Sequence, residues 1–137
     1  MAHWLFKSEP GVWSWDDQVK KGAEKWDGVR NHTAKQNMMA MKRGDRAFFY
    51  HSGGERQIVG IVEVAREAYP DPGDPTGTFV MVDIKAVKPV KTPVTLSAIK
   101  ADPRLKDMKL VRQGRLSVSP VTDAEWKILC KAAGVEP

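Results

Sequence analysis

The stretch from Trp26 to Asn31, Trp-Asp-Gly-Val-Arg-Asn, contains the residue types that a site for a flat aromatic ring requires. The indole can stack on such a ring, and Gly28 lets the backbone come close to it because glycine has no Cβ. Arg30 offers a planar fork of donors, and the amide of Asn31 can read an edge with a donor and an acceptor. These properties are typical of a nucleobase pocket, whose candidate residues here are Trp26, Gly28, Val29, Arg30 and Asn31. The structural alternative is a core tryptophan, then a turn and a helix cap at Asn31.

Polar and aromatic residues at the ends of other predicted elements could complete such a site. They are Lys7 and Ser8, then Tyr50, His51 and Ser52, and finally Leu116, Ser117 and Val118. Binding residues are common at the ends of strands, where loops are held by a rigid scaffold. Trp13 and Trp15 flank a predicted helix cap, and we expect one ring in the core and the other in the pocket wall. The alternative for the polar residues is a solvated turn.

The composition predicts one globular domain with a basic surface. Hydrophobic residues make up 42% and charged residues 28% of the 137 positions, which is typical of a soluble protein with a real core. The net charge of +5 favours polyanions as partners, through contacts with phosphate groups. The candidate phosphate contacts are Lys42, Arg43, Arg112 and Arg115. A solvated basic surface is the alternative.

The sequence lacks the residues that several kinds of chemistry require. The three histidines do not have the spacing of metal ligands, and the single Cys130 has no partner for a disulfide or a metal cluster. Neither a phosphate-binding glycine loop nor a Gly-x-Ser-x-Gly motif is present, so we expect no metal and no cofactor. No apolar run is long enough to span a membrane, and no signal peptide is found. We therefore expect a cytoplasmic protein without membrane contact, with a monomer as the default.

The predicted elements are short strands and short helices. We predict strands over residues 3–7, 46–52, 57–65, 79–87 and 116–119, and helices over residues 15–21, 33–42, 96–101 and from 122 onward. Capping boxes open the first and last of these helices, and loops are predicted over residues 69–78 and 88–92. Trp126 and Cys130 are expected on the core face of the last helix. This order predicts an α+β fold built on a small mixed sheet or barrel.

Longer motifs along the whole chain resemble the EVE domain family. The matching motifs are Trp4-Leu5-Phe6-Lys7-Ser8-Glu9-Pro10, Trp26-Asp27-Gly28-Val29-Arg30-Asn31, Met41-Lys42 with Gly44-Asp45, Phe48-Phe49-Tyr50-His51-Ser52, Ile58-Val59-Gly60-Ile61-Val62-Glu63-Val64, Val82-Asp83 and Arg112-Gln113-Gly114-Arg115-Leu116-Ser117-Val118. The resemblance implies a single PUA-like domain over residues 1–137, which is a small, strongly bent, mixed β-barrel surrounded by short helices. It also implies a non-enzymatic reader of a modified base, such as a modified cytosine, in DNA or RNA. Such a reader places one extruded base in an aromatic-lined pocket.

The resemblance also implies roles for particular residues. Trp26 matches the aromatic residue that stacks on the base. The positions at or near the pocket are Lys7, Ser8, Asn31, His51, Ser52, Leu116, Ser117 and Val118. The sequence departs from the family at His32, where an aromatic residue such as tyrosine is usual, and at Phe79, where tryptophan is expected. We expect His32 either to alter the polarity of the pocket or to face outward, and Phe79 to be a replacement in the core.

The sequence is compatible with two other functions. ASCH proteins, which are PUA-like relatives, hydrolyse acylated cytosine nucleosides with a lysine, a threonine and a glutamate. Lys7, Thr33 and Glu9 offer these types, although their spacing does not bring them together. The other alternative is a module that binds a small molecule or a protein.

The base-reading hypothesis makes two structural predictions. The first is that Gly28 has a positive φ or lies against the pocket. The second is that Trp26 forms one wall of a concave pocket and stays partly exposed.

Overall fold

A computed structural model describes all residues from 1 to 137. The strands are β1 (His3–Ser8), β2 (Ala23–Trp26), β3 (Arg46–His51), β4 (Gln57–Pro70), β5 (Val80–Thr95) and β6 (Val118–Val121). The helices are α1 (Trp15–Lys21), α2 (His32–Ala40), α3 (Leu96–Ala101), α4 (Lys109–Arg112) and α5 (Asp123–Ala133), with a 3₁₀ turn at Pro103–Leu105. None of the helices is both long and apolar enough to span a membrane.

The strands form one mixed sheet that is strongly bent. Its order is β2-β5-β4-β3-β1-β6, in which β1 and β3 are parallel and the other neighbours are antiparallel. The pairing of β4 with β5 shifts register at several points, and such bulges increase the local bend and twist. As a result, Trp26 on the edge strand β2 contacts Phe6 on β1, although three strands separate β2 from β1 in the sheet.

Apolar residues pack on both faces of the sheet because side chains alternate along each strand. Leu5 and Phe48 belong to a cluster covered by α3, α4 and α5, where Trp126 and Cys130 are buried as expected. Phe6 and Phe49 belong to a second cluster on the other face, together with Trp4, Trp15, Ala34, Met38 and Met41. Both capping boxes predicted from the sequence are present.

Several predicted boundaries differ from the structure. The loop predicted over residues 88–92 is part of β5, because Pro89 lies opposite Gly60 at a shift in the β4–β5 ladder, where a missing N–H is tolerated. The last strand begins at Val118, and its Pro120 is accommodated because β6 is an edge strand. β2 and α4 are too short to give a clear periodic pattern and were not predicted.

Candidate functional site

A cleft with a volume of about 510 Å³ opens where β1 and β2 end. Its lining comes from residues 7–9, 12–13 and 24–30, together with Ser117. Lys7 and Ser8 end β1, Trp26 ends β2, and the backbone amide of Lys7 donates to the carbonyl of Ser117 just before β6. The bend of the sheet therefore gathers three segments that are far apart in the sequence around one concave surface.

Trp26 forms one wall of this cleft and is half-buried. Its ring meets Phe6 at a centroid distance of 5.2 Å and Phe49 at 5.8 Å, both in edge-to-face geometry. Neither neighbour is stacked parallel to the indole. The ring is supported by the apolar core and also keeps surface that faces the cleft, as the sequence predicts for Trp26.

A buried carboxylate holds the loop that follows Trp26. Gly28 has φ of 77°, which confirms its predicted positive φ, and its amide donates to Asp71 Oδ2 at 2.9 Å. Arg30 Nη1 donates to the same oxygen at 3.0 Å, and the Gly73 amide donates to Asp71 Oδ1 at 2.8 Å. These hydrogen bonds, from Gly28 first and then from Arg30, lower the pKa of Asp71. Asp71 therefore stays ionised and fixes the backbone of the loop at the cleft.

The second aromatic wall is Trp13 rather than Trp15. Trp13 is half-buried, and its Nε1 donates to Gln18 Oε1 at 2.9 Å. Gln18 is fully buried and donates in turn to the carbonyls of Gly22 and Ile84. Trp15 packs in the core, where its ring lies so close to Gly60 that an added Cβ would come within 2.4 Å of it.

Lys7 lies between the cleft and a second cavity of about 250 Å³. The polar residues of this second cavity are Lys7, Tyr50, Ser52, Arg56 and Lys100. The ammonium group of Lys7 donates to the carbonyl of Gly114, and burial lowers the pKa of Lys7. Tyr50 on β3 and Ser52 just after it, both predicted for the base pocket, line this second cavity and not the cleft.

Other predicted pocket residues lie outside the cleft lining. His51 Nε2 accepts from the amide of Trp15 at 2.9 Å, and its Nδ1 lies 3.0 Å from Glu55 Oε1, so the ring anchors the start of α1. Asn31 caps α2 through the Ala34 amide and lines a separate depression that Leu116 also lines. Leu116 and Val118 are buried in the core. Contact of these residues with a ligand stays a prediction.

The predicted phosphate contacts are scattered around the molecule. Lys42 and Arg43 precede β3 at the end of the sheet opposite the cleft, because β1 and β3 are parallel and the cleft lies beyond their carboxyl ends. Arg112 pairs with Asp107 at 3.3 Å, and Arg115 is exposed in the depression beside Asn31. Sequence reasoning did not identify Lys25, which lines the cleft, because the short strand β2 that carries it was missed.

The two departures from the family pattern contact each other. The rings of His32 and Phe79 have centroids 5.1 Å apart, and the guanidinium of Arg30 lies 5.6 Å from the centre of the Phe79 ring. His32 is exposed and lies outside the cleft lining, so it does not change the polarity of the cleft wall. Phe79 is half-buried and belongs to neither core cluster, so the expectation of a core replacement is wrong: its ring lies against the exposed His32 ring and the Arg30 guanidinium.

Comparisons with known proteins agree with this architecture. A sequence profile of the EVE domain matches residues 2–132. Human thymocyte nuclear protein 1 is 31% identical in a match that covers 99% of this chain and 76% of that protein. The structure of Rpa0253 from Rhodopseudomonas palustris is 65% identical, with a TM-score of 0.93 and coverage of 98% of this chain and 94% of that one. Human THYN1 protein in complex with DNA that contains 5-methylcytosine is 32% identical, with a TM-score of 0.88 and coverage of 100% of each chain.

The bent mixed sheet with short helices is a PUA-like fold, as predicted. ASCH from Zymomonas mobilis, at 12% identity and a TM-score of 0.60 over 94% of each chain, shares this fold alone. The profile match and the identity with thymocyte nuclear protein 1 are more specific, and the chain belongs to the EVE domain family.

Proposed function

We propose that this chain is a nucleic-acid-binding module that reads a modified base by holding it, extruded from its strand, against Trp26 in the cleft. The observation that carries the proposal is the half-buried Trp26 ring, which is supported by Phe6 and Phe49 and open to a concave surface. Stacking of a base on an aromatic ring contributes about 1–3 kcal/mol. We also propose that residues 1–137 act as one domain, because one sheet carries both core clusters.

The polar lining supports recognition of a base edge and of its backbone. Residues 27–30 line the cleft beside Trp26, and Ser8 and Ser117 lie in the same lining. Lys7, Lys25 and Arg30 are available there for contacts with phosphates, and the carboxylates of Glu9, Glu24 and Asp27 line the same cleft. The relative solved with DNA that contains 5-methylcytosine supports a modified cytosine as the first base to test.

The hydrolase alternative is less well supported by the arrangement of its residues. Lys7 and Glu9 line the cleft, but Thr33 lines the separate depression beside Asn31. The ammonium group of Lys7 is also engaged with the carbonyl of Gly114. We therefore propose a binding module without catalytic activity. Incubation with acylated cytidines, followed by chromatography, should show no product above the rate without protein, and enzyme-dependent release of product would overturn this part of the proposal.

A binding screen tests the main proposal. Short DNA and RNA oligonucleotides that carry one 5-methylcytosine or another modified base are compared with the unmodified sequence by fluorescence anisotropy. We expect a preference for one modified base, worth about 1–3 kcal/mol if a single methyl group is read. We also expect binding to weaken steeply as salt is raised, because counterions are released from the phosphates. Equal affinity for every base, together with a flat dependence on salt, would contradict the proposal. The cytoplasmic location and the monomeric state stay predictions.

A further inference from the structure

The second cavity has the lining of an anion site. It lies where β3 ends, beside the start of α3 and the helix α4, on the other side of Lys7 from the cleft. Its basic residues are Lys7, Arg56 and Lys100, and its hydroxyls are those of Tyr50 and Ser52. No carboxylate lines it. Glu55 is next to Arg56 in the chain, but its carboxylate is held by His51 and Gln57.

Tyr50 gives this cavity a donor that no other group of the chain uses. The residue is only 1% exposed and lines the cavity, and its hydroxyl makes no hydrogen bond with the rest of the chain. Burial raises the pKa of Tyr50, against a smaller opposite effect of Arg56, so the phenol keeps its proton at neutral pH. Unlike Ser119 Oγ and Trp126 Nε1, which are fully buried without a partner, this hydroxyl is accessible from the cavity and can donate to a ligand there.

Arg56 is held at the cavity in an unusual backbone conformation. Its φ of 49° is the only positive value at a residue other than glycine. Its carbonyl accepts from the amide of Leu96 at 2.8 Å, which fixes the residue at the base of α3. Glycine suits such a conformation better, and strained residues of this kind are concentrated at functional sites. Neither Arg56 nor Lys100 takes part in an ion pair within the chain.

We propose that the second cavity binds a phosphate group of the same nucleic acid strand whose base enters the cleft. Tyr50 Oη and Ser52 Oγ donate to its oxygens, and Arg56, Lys100 and Lys7 balance its charge. Lys7 lines both cavities, so the phosphate belongs to a nucleotide close to the extruded base. This inference rests on the proposed function and assigns Tyr50 and Ser52 to the backbone of the ligand instead of its base.

Variants of Arg56 and Lys100 test the subsite with the tightest-binding modified oligonucleotide. Arg56→Gly removes the charge and relieves the backbone, so we expect a melting temperature that is not lowered. The double variant Arg56→Gly/Lys100→Gln should bind about tenfold more weakly, as expected for lost hydrogen bonds to a charged group. The slope of log Kd against log salt should fall by about 0.7, the value for one phosphate of a single strand. Tyr50→Phe should weaken binding by a smaller factor without changing that slope.

Lys127→Gln is a control for the loss of surface charge, since Lys127 is exposed on α5 and lines none of the cavities described above. It removes one positive charge and should leave both affinity and slope nearly unchanged. If the double variant keeps the affinity and salt slope of this control while Trp26→Ala still abolishes base preference, the second cavity does not bind a phosphate of the ligand. The proposed function then still stands. If no oligonucleotide binds the wild-type protein, both fail.

An uncharged linkage in the oligonucleotide backbone shows which phosphate the second cavity contacts. Oligonucleotides with a single methylphosphonate are made with the substitution at each position near the modified base. At the position that the subsite contacts, wild type should lose affinity and the Arg56→Gly/Lys100→Gln variant should lose none. An equal loss in both proteins at every position would overturn the subsite. Inorganic phosphate provides a second test, in which the amide resonances of Ser52 and Arg56 are followed. If these resonances shift saturably while both proteins lose affinity equally at every methylphosphonate position, the cavity binds free phosphate, and the proposed contact with the nucleic acid strand is overturned.

Discussion

Trp26 and Trp126 lie on opposite faces of the same sheet, and the protein packs them in different ways. Trp126 is 2% exposed and lies between two stacked rings, Phe48 at 4.1 Å and His3 at 4.2 Å. Trp26 is half-buried and meets its neighbours only in edge-to-face contacts. Both faces of Trp126 are therefore used by the core, whereas the packing of Trp26 leaves ring surface for a ligand.

The two regions also differ in how their polar groups are held. Trp126 Nε1 is buried without a hydrogen-bond partner, so apolar packing carries its contribution. Around the cleft, Gln18 orients the Trp13 ring and Asp71 fixes the loop at Gly28 and Arg30. Directional hydrogen bonds thus set the shape of the cleft, and packing sets the stability of the opposite face. Substitutions in the two regions should separate binding from folding.

The largest effect is expected for Trp126→Ala. Removal of a large ring that is covered on both faces should lower the free energy of unfolding by about 3–5 kcal/mol, because a cavity is left in the core. Urea denaturation measures this loss. The folded fraction should bind oligonucleotides with normal affinity. Trp126→Phe keeps an aromatic ring at the position and should lose less stability. A large change in affinity without loss of stability in Trp126→Ala would contradict a purely structural role.

Trp26→Ala should have the opposite profile. Loss of the stacking surface should weaken binding by about 1–3 kcal/mol, up to roughly two orders of magnitude in Kd. The cost in stability should be smaller than for Trp126→Ala, because the ring is only half-buried. Anisotropy titrations and thermal melts on the same samples test both expectations. A variant that melts far lower and binds normally when folded would show that Trp26 is structural.

Asp71→Asn should loosen the loop at the cleft without removing any cleft residue. Hydrogen bonds to a charged group contribute about 1.5–3 kcal/mol, and part of this should be lost from both stability and binding. The pKa of Asp71 is lowered in the folded protein, so its contribution is present above the unfolded value of about 3.9 and is lost as pH falls through the lower folded value.

The difference in unfolding free energy between wild type and Asp71→Asn should therefore be constant from pH 7 down to about pH 4.5 and should narrow below about pH 4. Urea denaturation across this range measures it. Asp107→Asn is a suitable control, because its carboxylate is exposed and pairs only with Arg112. A difference that grows on acidification would contradict the ionised state of Asp71.

The smallest effect is expected for Gly28→Ala. A Cβ there would meet no atom within 4 Å, so the substitution changes only the backbone preference at φ of 77°. We expect a loss of about 1 kcal/mol in stability. Gly60→Ala is the contrasting variant, since its Cβ would collide with the Trp15 ring and should cost more. Urea denaturation measures both losses, and no loss at Gly28→Ala would show that the loop at Gly28 rearranges freely.

Local sequence patterns predicted much of the fold. Ser14 with Asp17, and Thr122 with Glu125, define helix starts within four residues, so both capping boxes could be read directly. The turn after Trp26 follows in the same way from Gly28, because few other residues accept a positive φ. The prediction was less successful where pairing between strands overrides local preference, as at Pro89, which lies inside β5.

The sequence by itself determined the family, the cap at Asn31, the core role of Trp126 and the presence of Trp26 beside a turn at Gly28. Only the tertiary structure decided that Trp13 walls the cleft while Trp15 is buried, because that choice depends on Gly60 and on the buried Gln18. It also decided that Asp71 holds Arg30, a contact between residues separated by 41 positions. Caps and turns follow from interactions within a few residues, whereas the cleft depends on how far the sheet bends and which distant loops it brings together.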